Sequence, residues 1–153
     1  MPRALAALLA LTVLAVVAAG CGSSGANTNG GGSSGGGNTN GSAVYTAKGT
    51  LACLRTKGFK DVTTAKDKVG LIAAFAGNGG LKATAKSGNI VTIAFAQDAS
   101  GVGGTEKAFR RFAKGVYKRH LRDVMRSQGN AVLIWTETPK DAELSDALGC
   151  LHS

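Results

Sequence analysis

The side chains able to do chemistry are few and scattered. Cys21, Cys53 and Cys150 are the only thiols, and His120 and His152 the only imidazoles. A structural zinc site draws about four such ligands together at short spacings. Here His152 is next to the chain end and His120 lies in a separate helical stretch, so no metal site is expected. No Cys-x-x-Cys occurs, which argues against a redox-active thiol pair. Residues 43–153 hold no Gly-x-Ser-x-Gly, and Asp98, Glu137 and Asp141 show no pairing suited to acid–base work. His120 has the chemistry of a base, yet it falls on the apolar stripe of its helix with no identifiable partner. No catalytic residue and no cofactor is therefore assigned.

One loop has a composition that favours anions. "DASGVGGTEK", residues 98–107, leaves a predicted strand and enters a predicted helix, whose first N–H groups are free to hold an anion. Its spacing is neither G-x-x-x-x-G-K-[ST] nor G-x-G-x-x-G, so a loop with an N-cap is the expectation. The alternative to a non-enzymatic role is a small hydrolase-like enzyme that uses His120 or an anion site at residues 101–105.

Basic residues are the stronger signal. The chain of 153 residues carries a net charge of +9, which implies anionic partners. "GTEKAFRRFAKGVYKRHLRDVMRSQG", residues 104–129, reads as one amphipathic helix with Thr105 as N-cap and Gly129 as stop. Phe109, Phe112, Ala113, Val116, His120 and Val124 share one face; Lys107, Arg111, Lys114, Lys118 and Arg122 share the other. That basic face is the candidate contact for anionic lipid or a wall polymer. Met125 lies amid it.

The chain opens with Arg3, an apolar stretch from Ala4 to Ala19 and the small residues Ala18-Ala19-Gly20, which is the pattern of a secretory signal. The apolar stretch is shorter than the roughly 20 residues of a membrane-spanning helix. Ala18-Ala19-Gly20-Cys21 resembles the lipobox of bacterial lipoproteins, with alanine at position 18 where leucine is commoner. The resemblance covers residues 1–21 and implies that Cys21 is lipid-modified and becomes the first mature residue. It also implies a chain anchored by lipid to the cell membrane on its extracytoplasmic side, where nucleic acid is not an expected partner. Residues 22–42 hold no charge and no large apolar side chain, so they read as a flexible tether with a reach of about 25 Å.

Residues 43–153 remain for one small domain, for which a cross-link would add usefully to stability. In an oxidising compartment Cys53 and Cys150, near opposite ends of that domain, are expected to pair. Thr50 is read as the cap of a helix over "LACLRTKG", and "FKDVTT" as a strand. Residues 65–76 fit either helix or strand, with Gly77 to Gly80 closing them. "LKATAK" and "NIVTIAFA" flank Ser87-Gly88 as a hairpin with its turn at Gly88-Asn89. "AVLIWTE" is a strand buried on both faces, with Trp135 in the core. Thr138, Pro139 and Asp141 open a last helix through Leu151. The expected class is α+β, an antiparallel sheet with packed helices. The element order contains the β-α-β-β-α-β pattern of ferredoxin-like folds, with one extra helix at each end.

Overall fold

The computed structural model describes residues 44–153, apart from the side chains of Val116 and Tyr117. The expected leader, Cys21 and the expected tether lie outside the described residues.

Thr46 turns extended backbone into the first helix, α1 (Ala47–Thr56), by accepting the N–H of Gly49 on its hydroxyl at 3.0 Å. Thr50, expected as the cap, is instead buried inside α1, and its hydroxyl accepts the N–H of His152 at 3.3 Å. Strand β1 (Lys60–Thr63) follows, with a register shift at Asp61. The undecided segment forms a single helical turn, α2 (Leu71–Ala74). The expected hairpin is present as β2 (Gly80–Thr84) and β3 (Ile90–Phe95), closed by the Gly88 N–H on the Ala85 carbonyl.

The long helix expected over 104–129 is three elements. A 3₁₀ turn, Ala99–Gly101, leads into α3 (Val102–Phe112); α4 (Val116–Val124) comes next, then strand β4 (Met125–Gln128). The break is at Gly115, whose φ of 58° and ψ of −128° lie outside the helical region and suit glycine alone. It lets the two halves point into different cores. Phe109 of α3 packs with Val69, Ala73, Ala94 and Val132, whereas Leu121 and Val124 of α4 join the other cluster. One straight helix with a single stripe serves only one of them. Gly129-Asn130 is the two-residue turn between β4 and β5 (Ala131–Trp135), and Met125 is buried at the start of β4 rather than amid a basic face.

The chain ends in α5 (Asp141–Gly149), where the Glu143 carboxylate accepts the N–H of Lys140 at 3.2 Å. Lys140, rather than Thr138, occupies the cap position, so the capping interaction comes from the third helical residue alone.

The class is α+β, with one antiparallel sheet in the order β1-β2-β3-β5-β4. The finer order differs from a split β-α-β arrangement, because β1 and β2 are direct, antiparallel neighbours with no strand between them. A connection as short as α2 returns the chain beside its own strand. Helices cover both faces: α1 and α5 over Leu81, Ile93, Leu133 and Trp135, and α2 and α3 over Ala94 and Val132.

Cys53 of α1 and Cys150, at the end of α5, form a disulfide across a sequence separation of 97 residues, and Lys57 and Asp146 pair beside it at 3.0 Å. Reduction, or Cys150→Ala, is expected to lower stability by about 2–4 kcal/mol in urea unfolding, because it frees a long loop in the unfolded chain. A Cβ on Gly80 overlaps the Ala73 carbonyl. Gly80→Ala is therefore expected to destabilise by about 1–3 kcal/mol in the same assay, as overpacking does.

Candidate binding groove

The second helical layer is thin. α2 is one turn long, and its sequence Leu71-Ile72-Ala73-Ala74 followed by Phe75 is apolar all round, so one turn cannot bury every side chain. Ala73 goes inward and is 1% exposed; Leu71 and Phe75 stay outside at 63% and 81%. On the facing helix, α3, Phe109 is buried while Phe112, expected on the same buried face, is 59% exposed. The end of α3 overhangs the sheet there, and the chain turns away at Ala113.

Between α2 and α3 these residues leave an apolar groove. One part, of about 340 Å³, is lined by Ile72, Phe109, Phe112, Ala113, Ile134 and Lys114. Its floor is the sheet, through Ile134, and Thr92 joins it in the adjoining part. A second part, of about 480 Å³, runs along the outside past Leu71, Phe75, Phe112, Gly104, Thr105 and Ala108. These volumes fall in the range of small-molecule sites, which are likewise mostly apolar with a few polar groups at the edge. Lys114 is the charged group at this edge.

All five basic residues of the expected face are exposed, but they do not share one helix. Lys107 and Arg111 are on α3, Lys114 is in the break, and Lys118 and Arg122 are on α4. Lys107 and Arg111 are one turn apart, and each lies three residues from Gly104 or Ala108 of the groove wall, so the basic row borders the groove. Glu106 is already engaged, by Arg110 at 3.6 Å and by the Ser127 hydroxyl.

His120 is exposed rather than on an apolar stripe, and its Nδ1 lies 3.6 Å from the Asp123 carboxylate one turn on. Both side chains are more than half exposed. Just before residues 101–105, the Asp98 carboxylate accepts the N–H groups of Ser100 at 2.9 Å and Gly101 at 3.2 Å. Thr105 is inside α3, and its hydroxyl donates to the Gly101 carbonyl. The Ser100 hydroxyl, and then the Gly101 N–H, hold the Asp98 carboxyl below the usual carboxylate range. Among the described residues no three His, Cys, Asp or Glu side chains gather as metal ligands do, and no helix is long and apolar enough to cross a membrane.

Leu71 and Phe75 escaped sequence reasoning because their segment was undecided, although an apolar run cut short by Gly70 and Gly77 already limits how much can be buried. No family model matches the chain, and neither a curated protein nor a solved structure matches it.

Asp98 supplies a pH test. Its folded pKa is depressed, so its contribution to stability is complete above the ordinary aspartate range and is lost as pH falls through the folded value. A carboxyl NMR titration is expected to place its midpoint below that of the same residue in the urea-unfolded chain, and Ser100→Ala is expected to raise it part of the way back.

Proposed function

We propose that this chain is a lipid-anchored extracytoplasmic protein whose domain has a non-enzymatic binding role at the cell envelope. The membrane is its partner through the anchor, and the groove face between α2 and α3 is its contact for an anionic lipid or wall polymer. The observation that carries the binding role is the apolar groove bordered by the basic row Lys107–Arg111 and by Lys114. A concave apolar surface with cations at its edge suits an amphiphile or a polyanion with apolar parts. Anchoring rests on Ala18-Ala19-Gly20-Cys21, and the uncharged residues 22–42 give the domain a typical reach of about 25 Å from the bilayer. Each exposed Lys or Arg near an anionic surface contributes about 1 kcal/mol, so a modest set of them is enough to orient a tethered domain.

Intact mass of the protein from native membranes tests the anchor. A chain that starts at Cys21 and carries acyl groups is expected, and Cys21→Ser is expected to lose both the acyl mass and the membrane fraction. An unacylated mass overturns the anchor. Turnover of a hydrolase substrate by the domain, lost in His120→Gln, replaces the binding role with an enzymatic one.

A further inference from the structure

We infer that Leu71, Phe75 and Phe112 form a bilayer-insertion patch: the three side chains enter the headgroup region of an anionic membrane while Lys107, Arg111 and Lys114 meet lipid phosphates. This rests on the reading above that the domain is held at a membrane and narrows its contact to the bilayer itself.

The three residues are not scattered. They line one continuous groove, Leu71 and Phe75 from the α2 side and Phe112 from α3, and all are more than half exposed. Single exposed apolar residues are ordinary, but a cluster of large ones marks a surface that meets something apolar. Interfacial contacts pair aromatic and aliphatic side chains with lysine and arginine beside them, because the apolar part seeks the acyl boundary and the cations seek phosphate. Here the cations come from both sides. Lys66 and Lys68 precede α2, and Lys107, Arg111 and Lys114 follow the groove wall on the other side; all five are exposed. The acids close in the chain are Asp67, Asp98 and Glu106; Asp98 is occupied by the N–H groups of its own turn, and Glu106 by Arg110 and Ser127.

Charge selects the bilayer over a second copy of the chain. A face-to-face contact between two copies sets the same cations opposite each other, which is repulsive, whereas anionic lipid complements them. Tethering also converts docking into an intramolecular step, so a patch of three side chains with weak intrinsic affinity stays engaged.

The test uses residues 43–153, which hold the whole sheet, both clusters and the disulfide. Its probe is a vesicle of phosphatidylglycerol and phosphatidylcholine, with phosphatidylcholine alone as the comparison. Partitioning is expected on the anionic vesicles, weaker in high salt. Phe75→Ser with Phe112→Ser is expected to lower it by about tenfold or more, since two exposed rings no longer leave water. Lys107→Glu with Arg111→Glu is expected to lower it as well. In Phe75→Trp, emission is expected to shift to the blue on vesicles, against the constant background of buried Trp135. All these side chains are exposed; the fold of the serine and glutamate variants is checked by Trp135 emission and that of Phe75→Trp by circular dichroism.

Equal partitioning of the double serine variant overturns the proposal. So does a Phe75→Trp emission that stays put while the domain binds, which means attraction without insertion. A solution dimer abolished by the double serine variant assigns the patch to a second copy and also overturns it. The anchor stands or falls separately, on the acyl mass of Cys21.

Discussion

The pairing of β3 with β5 is the interaction on which the other elements depend. Five consecutive residue pairs, from Val91 with Trp135 to Phe95 with Ala131, join the two strands. Val91, Ile93, Phe95, Ala131, Leu133 and Trp135 are buried toward one helical layer, and Ala94 and Val132 toward the other. Backbone groups in such a ladder have no water to bond, so the ends must be closed by protein. Two buried asparagines close them. Asn89 donates to the Glu137 carbonyl at 3.0 Å and accepts the Glu137 N–H and the Thr136 hydroxyl. Asn130 does the same at the other end, donating to the Ala96 and Tyr45 carbonyls and accepting the Tyr45 N–H at 2.7 Å. Each sits just before one strand and clamps the far end of the other.

The two helical layers resting on this ladder are unequal. α1 and α5 are tied to each other by the disulfide and by Lys57 with Asp146, and their layer receives most of the large buried side chains. The opposite layer has a single turn and the first half of a broken helix. Ile72, Phe109 and Ile134 cover the sheet there only partly, and the groove is the space that remains. The cross-linked layer and the open groove thus lie on opposite faces of the sheet. Trp135 belongs to the covered face; it is 1% exposed, it packs on Phe59, and among the described residues its Nε1 has no hydrogen-bond partner.

Much of the scaffold was legible because its signals are local. Alternation on either side of Ser87-Gly88 reveals the hairpin, the run Val132 to Trp135 reveals a strand covered on both faces, and two cysteines at the domain ends reveal the cross-link. The segment from Gly104 to Gly129 was misread for a physical reason. Apolar spacing from Phe109 to Val124 continues at helical intervals straight across Gly115, and periodicity carries no sign of a backbone turn. Met125–Gln128 is short and mostly polar, as an edge strand allows, so only Gly129-Asn130 hints at a hairpin. Exposure of the basic residues was readable one residue at a time. The groove was not, since it exists only where α2 and the end of α3 approach over Ile134.

The closure of the chain ends also has a mechanical side. The N–H of Thr46 bonds the His152 carbonyl at 2.8 Å, Tyr45 is clasped by Asn130, and Cys53 is joined to Cys150. Tension entering at Val44 first loads the clasp between Tyr45 and the turn before the central strand. Should that yield, only the residues from Val44 to Cys53 can be drawn out before the load divides between two covalent paths, one through α1 and one through α5. A domain pulled from its N-terminal side is in this way held first at its central ladder, and α1 can peel only as far as Cys53.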